Sequence, residues 1–202
     1  MKSTLSKIEW EDVYAQVVSM LETKLPDICE YHSLEHTLDV LVTAESIAAK
    51  ENLLPEEIQL LKIAALFHDT GFATSLSDHE QNSCEIAINF LQKYNLSIDS
   101  IEIIKSAIMA TKIPQNPKSK LEQVLCDADL DYLGRSDFYS IGETLFKELS
   151  NQGILKNRTE WNQLQVKFLS NHEYFTNSSK LTRKPQKLLH LKEIKDWLTN
   201  KE

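Results

Sequence analysis

The sequence predicts an all-α protein, a single helical bundle with a C-terminal helical extension, and three observations carry that expectation. Gly and Pro are scarce, 4 and 5 residues of 202, against average usage of about 7% and 5%. So few turn-formers leave little room for short strands joined by hairpins. Apolar residues recur at helical spacing along most of the chain. Ahead of several of those stripes stands a capping-box phrase, a Ser or Asp with a Glu three residues on, whose side chains satisfy the first unpaired N–H groups of a helix.

Ser6-x-x-Glu9 opens a first helix, in which Val13, Val17 and Leu21 form the stripe. Leu34, Leu38 and Leu41 mark a second. Residues 56–69 are apolar on most sides (Ile58, Leu60, Leu61 and Ile63 to Phe67), as expected of a helix buried at the centre. Gly71 follows where a left-handed C-terminal residue is wanted, and Gly134 stands in the same relation to a later helix. Ser77-x-x-Glu80 and Asp99-x-x-Glu102 read as the caps of the next two helices, the second carrying Ile101, Ile104 and Ile108. Ser119-x-x-Glu122 caps a helix with Leu121, Val124 and Leu125. Breaks fall at 52–55, 70–77, 94–97, 113–117 and 151–158, and the final stretch, 185–198, sets Leu188, Leu191, Ile194 and Trp197 on one face. No repeat or long linker divides the chain. Residues 1–202 therefore read as one domain, with a core over about 25–150 and a C-terminal helical cap over about 151–202.

Composition narrows the function. Hydrophobic residues make up 42% and charged residues 26%, a globular balance that excludes a largely disordered chain. The formal charge of −8 argues against nucleic-acid binding, which needs Lys and Arg to neutralise phosphates. A small anionic substrate is compatible with it, because a bound metal reverses the local sign. Cys29, Cys84 and Cys126 are scattered thiols with no CxxC pair. With a polar first ten residues, they indicate a reducing, cytoplasmic location. No apolar run approaches the ~18 residues needed to span a bilayer.

The chemistry lies in an ordered set of histidines and aspartates. Tyr31-His32-Ser33-Leu34-Glu35-His36-Thr37-Leu38-Asp39-Val40 comes first, Phe67-His68-Asp69-Thr70-Gly71 closes the apolar helix, and Cys126-Asp127-Ala128-Asp129-Leu130-Asp131 lies on a later one. Imidazole with carboxylate is a ligand mix that holds a divalent metal and leaves positions open for water. His32 and His36 are one helical turn apart, and His68-Asp69 is a polar pair at the mouth of a buried helix, where it needs a partner. Alone, His36 reads as an ordinary hydrogen-bonded histidine, and Asp127, Asp129 and Asp131 as a solvated acidic face. The combination points to a metal.

The order His36, His68-Asp69, Asp129 resembles the HD-domain superfamily of metal-dependent phosphohydrolases, which are all-helical. YHSLEHTLDV is similar to its first motif, LFHDTG to its second and DADLDYLG to its last, a likeness that runs from about residue 30 to 135. The resemblance implies that His36, His68, Asp69 and Asp129 hold a divalent ion (Mn, Fe, Zn, Ni, Co or Mg). Asp129 is preferred to Asp127 because the last ligand of the superfamily follows a small residue, here Ala128. YHSLEHTLDV also resembles the first motif of cyclic nucleotide phosphodiesterases, departing from it at Ser33, where an Asn is usual. That second likeness makes His32 a general acid; otherwise it only hydrogen-bonds around the site. His79 is read as a substrate or supporting group, or else as part of a helix cap. A full second metal site is doubtful, since Met109-Ala110-Thr111-Lys112 holds no further histidine. Lys112 and Arg135, each near a motif, are the candidates for substrate phosphate. His172 and His190 have no motif neighbours, and Trp10, Trp161 and Trp197 read as core or interface anchors.

The expected function is a metal-dependent phosphohydrolase that cleaves a phosphate ester of a nucleotide or similar small metabolite with metal-activated water, Asp69 both ligating and orienting that water. The alternatives are a cyclic nucleotide phosphodiesterase and a non-catalytic metal- or nucleotide-binding regulatory module. The partner is then a small phosphorylated metabolite or nucleotide, with no membrane, and a homodimer is left open.

Overall fold

The computed structural model describes residues 3–200, which form ten α-helices and three short 3-10 turns, with no strand among the described residues. The helices are α1 (Lys7–Lys24), α2 (Leu34–Lys50), α3 (Pro55–Phe67), α4 (His79–Leu91), α5 (Ile98–Ala110), α6 (Lys120–Asp129), α7 (Phe138–Asn151), α8 (Arg158–Asn171), α9 (Asn177–Thr182) and α10 (Lys184–Thr199). No helix among the described residues is long and apolar enough to cross a membrane. The three cysteines are free and buried.

The centre of the molecule is α3. Its residues Leu60, Leu61 and Ile63 to Phe67 are buried, and it packs against α1, α2, α4, α5 and α6. Burial of each such Leu, Ile or Phe side chain is worth roughly 1.5–3 kcal/mol, so the helix without a polar face is the one that every neighbour can reach. The stripe Val13, Val17 and Leu21 brings α1 into this same core, although α1 precedes the 25–150 span. A second apolar cluster gathers Leu130, Tyr132, Leu133, Phe138, Leu169 and Ile194. Tyr31 enters it from the segment before α2, and it joins α7 to the C-terminal helices.

Local sequence explains the helix ends, with corrections. Both expected boxes at Ser6 and Ser119 form: Glu9 N–H donates to Ser6 Oγ at 3.3 Å, and Glu122 N–H to Ser119 Oγ at 3.2 Å. The Ser77 and Asp99 boxes do not. Helix α4 starts after Asp78, whose φ is 51°, with no side-chain cap, because the Ser77 hydroxyl is taken up by Ser75 and Glu80 lies beside the His79 ring. Ser97 caps α5 instead, accepting from Ser100 N–H at 3.1 Å. Gly71 and Gly134 are not left-handed; among the glycines only Gly153 has positive φ. They are places of close approach: a Cβ on Gly71 would lie 2.0 Å from the His79 carbonyl oxygen, and one on Gly134 2.3 Å from that of Arg183. Leu188 is 48% exposed. The inward face of α10 is Lys187, His190 and Ile194, because the polar ends of Lys187 and His190 find carbonyl partners at His172 and Leu133.

Candidate metal centre and its cavity

Three helix ends build the site. Ser33 caps α2, accepting from the His36 backbone N–H at 3.3 Å, and thereby starts the helix where the His36 ring turns inward. Helix α3 stops at Phe67, and His68 and Asp69 form the turn that leads into the 3-10 segment Thr70–Ala73. Asp129 is the last residue of α6. The C-terminal ends of α3 and α6 thus bring partial negative charge to one place, which favours a cation there.

The polar atoms converge. His36 Nε2 lies 3.2 Å from Asp129 Oδ1 and 3.4 Å from Asp69 Oδ2. His68 Nε2 lies 3.2 Å from Asp69 Oδ2 and 3.6 Å from Asp129 Oδ1. The two Nε2 atoms face each other at 3.4 Å. His36, His68 and Asp69 each offer a ligand atom within 4.8 Å of the other two, and Asp129 adds its oxygen on the imidazole side. His68 Nδ1 donates to the Ala65 carbonyl at 2.8 Å, which leaves the Nε2 lone pair for the cluster, the tautomer that a metal ligand requires. A divalent ion fits this donor set. In the bare cluster, burial pulls the histidines down, yet Asp69 and Asp129 hold His36 above and His68 well above the ordinary range. Burial likewise opposes ionisation of the two carboxylates. The imidazoles outweigh it, keeping Asp69 well below the usual range and Asp129 at about 2. The two carboxylates are thus held in their charged form, ready for a cation.

Asp127 is turned away. Its carboxylate accepts from Phe175 N–H and Thr176 N–H at 2.8 Å each and from Thr176 Oγ1 at 2.6 Å. It anchors the start of α9, and Asp129 is the aspartate of the pair that faces the imidazoles.

A cavity of about 460 Å³ opens from the cluster, lined by His32, Asp69, Asp78, His79, Lys112 and Asp129 at its polar end. His32 Nδ1 donates to Glu148 Oε1 at 2.5 Å, so Nε2 is the nitrogen left for chemistry. Glu148 also accepts from the backbone N–H groups of Tyr31 and His32 at 2.9 and 3.1 Å. Burial alone would raise the Glu148 carboxyl, but the His32 ring and these N–H groups hold it below its usual range. Glu148 did not stand out in the sequence, although in the fold it is buried on α7 along with Phe138 and Gly142. Phe72 stacks on both His32 and His79, each at a ring distance of 4.0 Å. His79 Nε2 lies 3.7 Å from Asp69 Oδ1 and 3.3 Å from Glu80 Oε1, held there because Gly71 lets the 3-10 turn touch the first turn of α4. Lys112 reaches the cavity mouth in an ion pair with Asp78 at 3.1 Å.

Arg135 is not brought to this cavity. Its guanidinium is forked between Asp39, at 2.8 Å to both oxygens, and Asp137, at 2.9 and 2.7 Å, and it lines a different cavity with Glu35 and Asp39. Two carboxylates in bidentate geometry satisfy its donors, so a substrate phosphate would have to displace them. His190 is structural, stacked on Phe138 at 4.3 Å. Trp161 is buried and also lines the cavity, whereas Trp10 packs at the edge of the main core under the Lys62 ammonium.

An all-α domain with a His–His–Asp cluster at the meeting point of helix ends is a helical domain with a candidate metal site. The HD domain family model matches residues 33–131, and the chain carries an HD domain over that span. Among solved structures, the chain is similar to one described as a "predicted HD superfamily hydrolase" from an uncultured Thermotogales bacterium. The TM-score is 0.61 at 17% identity, over 98% of this chain and 100% of that one. No curated protein matches the chain.

Proposed function

We propose that the protein is a metal-dependent phosphohydrolase that cleaves a phosphate ester of a small organic metabolite. The observation that carries this reading is the convergence of His36, His68, Asp69 and Asp129 beside a cavity that Asp69 and Asp129 line together with His32 and Lys112. A divalent ion held by those four residues supplies a water of lowered pKa and polarises a phosphoryl oxygen. The remaining work belongs to the side chains. Asp69 directs Oδ2 to the imidazoles and Oδ1 toward His79, so Oδ1 is the oxygen free to accept a proton from the attacking water. The Lys112 ammonium balances charge on the equatorial oxygens. His32, its Nδ1 held by Glu148, presents Nε2 to protonate the leaving oxygen.

The test is elemental analysis of the purified chain, reloading after chelation with Mn, Fe, Zn, Ni, Co or Mg, and a phosphate-release screen over phosphate esters. About one metal per chain and release that depends on it are expected. A chain that stays metal-free after reloading, or a loaded chain that releases phosphate from no ester, overturns the reading.

A further inference from the structure

The cavity has two unlike ends. At the metal-site end stand four carboxylates, Asp69, Asp78, Glu80 and Asp129, against one ammonium, Lys112, already paired with Asp78. The other end is built by the C-terminal helices and is almost wholly apolar: Leu145 and Leu149 from α7, Trp161, Leu164, Phe168 and Leu169 from α8. Gln165 is the one side chain with an amide in that half. The apolar wall runs on past Leu164, Phe168 and Ile113, which also line a neighbouring cavity of about 450 Å³ with Pro114 and Phe175.

We propose that this apolar chamber binds the carbon body of the substrate, and that the substrate class is a phosphomonoester of an apolar alcohol. The proposal rests on the phosphohydrolase reading and narrows it. A single phosphoryl group needs no more positive charge than a divalent ion and Lys112 provide. A nucleoside di- or triphosphate brings further negative charge, and the nearest arginine of the motif region, Arg135, is locked between Asp39 and Asp137. A nucleobase in the chamber would bury edge donors and acceptors with Gln165 as their one side-chain amide, and unmatched buried polar groups are costly. An alkyl, prenyl or aryl group brings no polar edge of its own to leave unpaired. In the reaction water adds to phosphorus and gives a proton to Asp69 Oδ1, the P–O bond to the alcohol breaks, and a His32 imidazolium, with protons on both nitrogens, passes that on Nε2 to the departing oxygen. Inorganic phosphate and an apolar alcohol result.

The experiment uses the full chain loaded with manganese and the series ethyl, butyl, hexyl and octyl phosphate beside adenosine and cytidine 5′-monophosphates. kcat/KM should rise with chain length, by up to about fourfold per methylene, until the chamber is full, and the nucleotides should fall below butyl phosphate. A flat series, or preference for a nucleotide, overturns the inference while the phosphohydrolase reading stands. If no ester is hydrolysed, that reading fails, and the chamber is judged by calorimetry with ethyl- and octylphosphonate. Octylphosphonate binding at least tenfold tighter supports it, and equal binding overturns it. Leu164, already 38% exposed, tolerates substitution, and L164Q should shrink the octyl-to-ethyl ratio about tenfold. An unchanged ratio places the alkyl group elsewhere and overturns the assignment.

Discussion

At the scale of single residues, the decisive pair is His32 with Glu148. A histidine that merely packs does not need a fully buried carboxylate on Nδ1, whereas an acid must carry a proton on both nitrogens, and a carboxylate at Nδ1 stabilises that cation and aims Nε2. The leaving group tests this. A poor leaving group such as an alkoxide needs a proton, and p-nitrophenolate departs without one. His32→Ala should therefore lower turnover of alkyl phosphates by ~10²–10⁴-fold and that of p-nitrophenyl phosphate far less. Glu148→Gln, which keeps an acceptor but loses the charge, should show the same asymmetry in weaker form. Equal losses on both substrates would leave His32 a supporting group. His32, His36, His68, Asp69 and Asp129 were legible because each sits in a phrase of unusual composition. Glu148 was not, because its pairing spans 116 residues, and a single Glu in an amphipathic helix carries no local mark. Arg135 misled for the complementary reason: position beside a motif says nothing about Asp39, far back in the chain, which claims its guanidinium.

At the scale of elements, helices were readable from apolar spacing, and their ends only where the cap was local. Ser6 and Ser119 cap as written, but Ser77 lost its role to the Ser75 hydroxyl and to the fit of Gly71 against α4, contacts that no window of sequence displays. The same lesson governs Asp127, which reads as one more acid beside Asp129 and instead ties α6 to α9. Asp127→Ala should destabilise the protein by about 2–4 kcal/mol, since it strands two buried N–H groups. Metal stoichiometry should stay unchanged; a variant of normal stability that lost its metal would make Asp127 the ligand. The turn between α8 and α9 carries a pH response. Burial, with the Lys187 ammonium beside it, lowers the His172 pKa to about 4. A histidine whose folded pKa is depressed binds more protons unfolded than folded. Its contribution is whole above the unfolded value of about 6.5 and is lost as pH falls from there toward 4, by roughly 3 kcal/mol in all. Denaturant titrations at pH 7.5 and 4.5 should show a smaller loss for His172→Leu than for the natural chain. An identical loss would mean that His172 is already protonated in the fold.

At the scale of the whole molecule, the groups of the candidate metal centre come from α2, the end of α3 and the end of α6, which all belong to the main core, while α7 and α8 close the cavity from the second cluster. An ion there would staple three helices together, so metal binding and folding are linked. A ligand present at a hundred times its Kd adds about 2.7 kcal/mol to the folded state. For a chain of this size, one kcal/mol moves Tm by about 2–4 °C, so loading should raise the melting temperature by about 5–11 °C and chelation should reverse it. Asp69→Ala separates this linkage from nonspecific effects of salt. The substitution removes one member of a cluster whose carboxylates and imidazoles hold each other charged, so the fold survives on its apolar core. It also removes an oxygen that the ion needs. The variant should therefore melt cooperatively, at a temperature that the same metal concentrations do not move, and it should release no phosphate. The metal that gives the largest upward shift in the natural chain at equal concentration is the one the site binds most tightly. A natural chain whose Tm ignores every metal, or a variant that follows it step for step, would show that His36, His68, Asp69 and Asp129 meet for a reason other than holding an ion.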